Sequence, residues 1–217
     1  MFLKQQKPPS PGNFLFYTLL ALFVFPTGVF PTGAVAEGLM ITPYLGYRVG
    51  GNFTDIATGL ELELVESDSY GLIIGRDNGT NNQLEFIYSL QSTQLEASGI
   101  VSPVVLVDVD VENFLVAGKR IMNKDSGAFV SGIVGVTRFN PESSSLNSET
   151  RFALGLGGGT DYPIGKNFSL RLEGRGIATF LDSNGAVFCG PSGGCLVYTE
   201  SNVLWQFEVI AGITFRF

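Results

Sequence analysis

The sequence predicts an all-β protein: an eight-stranded antiparallel up-and-down transmembrane β-barrel. Three observations carry this. Stretches with apolar side chains at every second position recur eight times. The links between them alternate strictly between short and long. The final stretch, LWQFEVIAGITFRF, keeps one face apolar up to Phe217, where a chain end in water would gain nothing from a large aromatic group.

The first 36 residues read differently. Lys4 and Lys7 precede an apolar run over 14–25, a Pro/Gly stretch and the triplet Ala34-Val35-Ala36. A positive start, a short apolar run and an A-x-A site make a secretory signal peptide. The expectation is a cleaved leader, 1–36, cut between Ala36 and Glu37, and a mature barrel domain, 37–217. The alternative is an N-terminal membrane anchor, but the run is short for a bilayer and Pro26 and Pro31 interrupt its extension.

In chain order the alternating segments are these. Ile41, Pro43, Leu45, Tyr47 and Val49 oppose Thr42, Tyr44, Gly46, Arg48 and Gly50. Tyr70, Leu72 and Ile74 oppose Gly71 and Gly75, with Ile73 an exception. Leu84, Phe86, Tyr88 and Leu90 oppose Glu85, Ser89 and Gln91. Val107, Val109 and Val111 oppose Asp108, Asp110 and Glu112. The segment 128–137 is a strand whose two faces both carry apolar groups, Val130, Val134 and Val136 against Phe129 and Ile133. Phe152, Leu154 and Leu156 oppose Ala153, Gly155, Gly157 and Asp161. Phe168, Leu170 and Leu172 oppose Ser169, Arg171, Glu173 and Arg175. Finally Trp205, Phe207, Val209, Ala211, Ile213, Phe215 and Phe217 oppose Gln206, Glu208, Ile210, Gly212, Thr214 and Arg216. A period of two is the signature of a strand with unlike faces. Short turns fall at 77–81, about 122–126 and 163–167, and longer links near 51–68, 96–103, 140–149 and 182–202. That arrangement suits a barrel with a short-turn end and a long-loop end.

Alternation alone leaves the direction of the apolar face open. A soluble, ligand-binding barrel would turn it inward. Lys119, Lys124 and Lys166, the lysines left after the leader, all fall near the short-turn end, and no polar face carries one in mid-strand. The polar faces mix charges of both signs with glycine, as a closed interior can accommodate when the charges pair. Both facts favour the inverted arrangement, apolar side to lipid. The expected interior network is Arg48, Glu85, Asp108, Asp110, Glu112, Arg171, Glu173, Arg175, Glu208 and Arg216, with Gly155, Gly157 and Gly159 leaving room for the arginines.

Composition narrows the chemistry. The chain has 28 Gly, 18 Phe, only 15% charged residues and no histidine, so a Ser–His or Asp–His site is impossible and no catalytic residue or cofactor is assigned. The net charge is −7, and loss of the two leader lysines makes it more negative still, which argues against nucleic acid as a partner. Cys189 and Cys195, an even pair in an exported chain, are expected to form a disulfide that pins a loop tip. Gly155-Leu-Gly-Gly-Gly-Thr160 lacks the order and the following helix of a phosphate loop. Asp108-Val-Asp-Val-Glu112 is either a cation or selectivity strip or part of a neutralised interior.

The ending GITFRF, with Phe215 and Phe217, is similar to the C-terminal assembly signal of bacterial outer-membrane barrels. ITPYLGYRVGG and FALGLGGGTDYPIGKNFSLRLEGRG resemble strand–turn–strand phrases of the OmpA/OmpX/OmpW-like superfamily. The resemblance covers 37–217 and implies a bacterial outer-membrane location and recognition by the barrel-assembly machinery. It implies an environment of outer-membrane lipid and lipopolysaccharide, with short turns in the periplasm and an acidic crown of long loops outside. It does not imply the peptidoglycan-binding role, for which this chain shows no second domain. The expected function is structural or surface-interacting, through acidic, disulfide-pinned extracellular loops, with divalent cations a further candidate partner there; the chain is expected to be a monomer and not an enzyme. The alternative is a narrow porin-like channel for ions or small solutes.

Overall fold

The structure, a computed structural model, describes residues 38–55, 59–97, 104–143, 145–181, 186–190, 195–198 and 203–217, with backbone alone at 53–54, 186–188 and 196–198. The expected leader and its cleavage site, Ala36–Glu37, lie outside the described residues. The strands are β1 (Leu39–Gly50), β2 (Asn52–Thr54), β3 (Glu61–Leu64), β4 (Ser67–Asp77), β5 (Asn82–Ala97), β6 (Val104–Asn123), β7 (Ala128–Pro141), β8 (Glu149–Pro163), β9 (Phe168–Phe180), β10 (Ala186–Cys189), β11 (Cys195–Tyr198) and β12 (Val203–Arg216).

Eight of these form a closed antiparallel ring, β1-β4-β5-β6-β7-β8-β9-β12 and back to β1. At the seam Met40 lies opposite Arg216 and Gly50 opposite Gln206. Two further bonds extend it, Phe217 N to Leu39 O at 2.9 Å and Gly38 N to Phe217 O at 3.2 Å. Closure leaves the ring without an edge, the condition for a sheet to stand in hydrocarbon.

Two expected loops are partly sheet. β5 and β6 run for 16 and 20 residues, well beyond the 9–11 that cross a bilayer. Their upper halves rise as a hairpin, and β3 adds to it with Leu62 opposite Ala97, and β2 to β3. The asymmetry between the two ends thus lies as much in strand length as in loop length.

Along each ring strand the alternation is kept, and its sign is inverted in the middle. Outward Leu156 is 75% exposed and Val209 68%, while inward Arg48 is 0%. Aromatic side chains ring both ends of this apolar band: Phe152 with Phe180 (ring centroids 5.9 Å apart) and Tyr88 with Phe114 (5.1 Å) above, Phe168 with Phe215 (5.4 Å) below. Girdles of this kind mark the two membrane interfaces of such barrels.

Above the band the sign reverses without a change of phase. On β5, Leu84, Phe86, Tyr88 and Leu90 point outward; the next outward residues are Ser92, Gln94 and Glu96, while Leu95 and Ala97 turn in. On β6 the same switch falls between outward Phe114 and outward Glu112, and on β7 between outward Val136 and outward Arg138. Register places these switches at one level, since Leu90 is opposite Glu112 and Glu112 opposite Arg138. Above that level the sheet has an ordinary apolar interior, with Leu62, Leu64, Leu95, Val109, Val111, Phe139, Leu181 and Leu204 packed together. Water, not lipid, is the solvent its outer face is built for.

Candidate functional site

Charged and polar side chains meet across the interior of the band. Nearest the short-turn end, the carboxylate of Glu85 on β5 is gripped by both terminal nitrogens of Arg171 on β9, at 2.7 and 2.8 Å. Lys119 on β6 donates to the same carboxylate at 3.1 Å and also to Asp161 on β8. Arg171 reaches Glu173 through Nε at 3.0 Å. The Phe129 ring lies beside both cations, 4.5 Å from Lys119 Nζ and 4.8 Å from Arg171 Cζ. A second group is centred on Glu208 of β12, which takes Arg48 at 2.9 Å and Arg175 at 2.5 Å. Arg48 also donates to Ser89 and, with the Asn113 amide oxygen turned toward it, to Asn113 at 3.1 Å. Arg175 donates to the Tyr44 hydroxyl at 2.5 Å and lies over its ring.

Small residues make this packing possible. Tyr44 projects into the lumen because Gly71 and Gly212 face it; a Cβ at Gly71 would stand 2.5 Å from the Tyr44 hydroxyl. At Gly157 a Cβ would come within 2.6 Å of Ser131 Oγ and 2.8 Å of Glu173 Oε1. Ile73 and Ile210, exceptions to the polar rule, belong to an apolar layer in the interior with Ile87, Leu115, Ile133 and Ile177. The same layer settles the faces of β7: Phe129 and Ile133 point in, Val130 and Val134 out.

Arg48, Glu85, Arg171, Glu173, Arg175 and Glu208 therefore meet inside, as the alternation places them. Four of the expected residues do not. Asp108, Asp110 and Glu112 stand on the outer wall of β6, above the lipid band, and Val109 and Val111 fill the interior instead. The reason is the change of solvent: in water the charged side of a strand belongs outside. Asp108 accepts from Gln94 at 2.7 Å, Asp110 from Ser92 at 2.7 Å, and Glu112 from Asn140 at 2.6 Å and Tyr88 at 3.1 Å. Arg216 keeps the inward parity of β12 but ends exposed at the short-turn mouth, beyond the packed charges. Conversely, Lys119 and Asp161 belong to the network. A strand read only as far as Glu112 leaves Lys119 without a face, near the short-turn end; carrying the same period on to Asn123 puts it on the inward face with Asn113.

At the long-loop end Cys189 and Cys195 are joined by a disulfide and lie opposite each other on β10 and β11. This hairpin is tied to the ring: Cys189 N donates to Glu149 Oε1 at 3.1 Å, and Asn147 N donates to Cys189 O at 3.0 Å. Glu149 is itself paired with Arg151 at 2.6 Å. Reduction is expected to speed chymotrypsin cleavage within 186–198 several-fold while leaving the heat-modifiable gel shift of the barrel unchanged, because the bridge closes only a local loop. Mass analysis of the fragments checks both halves. Among the described residues, no three His, Cys, Asp or Glu side chains converge in a way that could hold a metal ion.

No protein-family model matches the chain, and no curated protein matches it in sequence. Solved structures do match in fold. Neisserial surface protein A superposes with a TM-score of 0.57 at 14% identity, over 83% of this chain and 98% of that one. The outer membrane protein OprG from Pseudomonas aeruginosa gives 0.53 at 13%, over 83% and 96%. The outer membrane protein AlkL gives 0.52 at 13%, over 88% and 97%. With the closed ring, the apolar band and its two girdles, this likeness shows that the chain has the fold of the eight-stranded bacterial outer-membrane β-barrels.

Proposed function

We propose that this protein works at the cell surface, through the wall that stands above the lipid band, rather than as a conduit. The observation that carries the reading is the position of the carboxylates. Asp108, Asp110 and Glu112 face outward directly above the level where the outer wall stops being apolar, and Glu61, Glu63, Glu66 and Asp68 add exposed charge nearby. This is headgroup height. Carboxylate oxygens suit Ca²⁺ and Mg²⁺, and singly placed carboxylates can share such ions with the phosphates of lipopolysaccharide. No catalytic step belongs to this reading.

The channel reading finds less support. The charged side chains of the lumen are bonded across it, and Arg48, Arg171, Glu85 and Glu208 are almost wholly buried. Planar-bilayer recordings of the folded protein are expected to be silent across a salt gradient. Stepwise currents would transfer the function to the lumen. The surface reading is tested with Asp108→Asn/Asp110→Asn/Glu112→Gln. The triple variant is expected to fold normally and to lose most of its Ca²⁺-dependent retention on lipopolysaccharide-containing vesicles. Retention equal to that of the unaltered protein, or retention that EDTA does not touch, would count against it.

A further inference from the structure

The paired charges fill the middle of the barrel and stop short of its lower mouth. A cavity of about 370 Å³ opens there, within the range of small-molecule sites. All three short turns and the end of β12 contribute to its lining.

Its polarity changes with depth. Gln83 is 3% exposed, and the Asp161 side chain 10%. Each holds an acceptor, Gln83 Oε1 and Asp161 Oδ1, that is shut off from solvent and receives no hydrogen bond. Neither group is free to turn, because its other atom is engaged: Gln83 Nε2 donates to Asp77 Oδ1 at 2.8 Å, and Asp161 Oδ2 takes Lys119. Each of these acceptors lacks a donor, and a ligand bringing N–H groups would supply one once a small shift of the Gln83 or Asp161 side chain brings its oxygen to the cavity.

The rim is opposite in sign. Lys124, Lys166 and Arg216 line the same cavity, all exposed, and none is ion-paired among the described residues. The rim is held in shape by reciprocal bonds, Arg216 N to Asn167 O at 2.9 Å and Asn167 Nδ2 to Arg216 O at 2.8 Å.

We propose that this mouth binds small zwitterions of amino-acid to dipeptide size. The ammonium group enters first, against Gln83, Asp161 and Asp77, and the carboxylate stays at Lys124, Lys166 and Arg216. A diamine would place its second charge against the cationic rim. A simple carboxylate would leave the buried acceptors unmet. The site therefore requires both groups on one molecule. In a barrel of this fold the short-turn mouth opens to the periplasm, where free amino acids and short peptides reach it.

The test is a titration of the full protein, purified in detergent, with glycylglycine, followed by amide chemical shifts. N-acetylglycylglycine, which lacks the ammonium, and glycylglycinamide, which lacks the carboxylate, are the matched controls. Glycylglycine is expected to shift amides of the turns at 78–81, 124–127 and 164–167, with each capped form at least roughly tenfold weaker. Lys124→Ala and Lys166→Ala, both on exposed turns and harmless to folding, should each weaken glycylglycine several-fold and leave the affinity for glycylglycinamide unchanged. Gln83→Met, which keeps the volume and removes the acceptor, should weaken the two ligands that carry an ammonium and spare the acetylated one. Equal binding of all three compounds, binding of the acetylated form as tight as that of the free dipeptide, or no binding at all would overturn the proposal.

Discussion

Replacing Glu208 with glutamine is expected to cost the folded barrel about 3–5 kcal/mol, the scale on which breaking a buried ion pair destabilises a protein. Among the described residues Glu208 is the one carboxylate bonded to both Arg48 and Arg175, and all three side chains are shut off from water. Its neutralisation leaves two guanidinium groups inside a closed wall. By comparison Glu85 shares its two cations with Glu173 and Asp161, so Glu85→Gln should cost less. The measurement is the urea midpoint of folded protein in lipid vesicles. Adding Arg48→Met to Glu208→Gln removes one orphaned charge and should restore a substantial part of the loss. An unchanged midpoint for Glu208→Gln would mean that water reaches the pair and that the lumen is not packed.

The second large effect concerns the outer wall. Val116→Arg puts a charge in the middle of the apolar band on β6 and is expected to cost about 2–4 kcal/mol. Asp110→Arg, six residues away on the same strand and the same outward face, lies above the band and should fall within about 0.5 kcal/mol of the unaltered protein. Comparing the two by the same urea titration locates the membrane boundary. A similar cost at both positions would place Asp110 in lipid and remove the physical basis for the acidic surface strip.

The ring itself was legible because a lipid-facing strand cannot hide its alternation. β1, β9 and β12 show it with one inward apolar exception each, Met40, Ile177 and Ile210, and the order of short and long links supplies the topology. The inward charges on those strands followed from parity alone. What alternation could not supply was the solvent. A run such as Val107-Asp-Val-Asp-Val-Glu112 has the same period in lipid or in water, and only its height decides whether the valines or the carboxylates go inside. That height depends on register with β5 and β7, which is a tertiary fact. The packing of Ile73, Ile87 and Ile133 into an apolar layer inside a charged lumen was hidden for a related reason: a barrel interior admits both kinds of residue. Tyr44 was legible as inward but not as a ligand of Arg175, since that contact spans 131 residues of sequence.

The ion pairs of the lumen also act as a lock on alignment during assembly. Arg48 and Glu208 are 160 residues apart and meet across the β1–β12 seam; Arg171 and Glu85 are 86 apart and meet across the lumen. Neither pair can form until the sheet has curled far enough to bring its two flanks together. A slip of one residue at the seam would turn an entire inward set toward hydrocarbon, carrying Arg48 or Glu208 with it. Wrongly aligned rings thus lose the very bonds that correct closure creates. The charges that make this interior costly to build also make its near misses costlier.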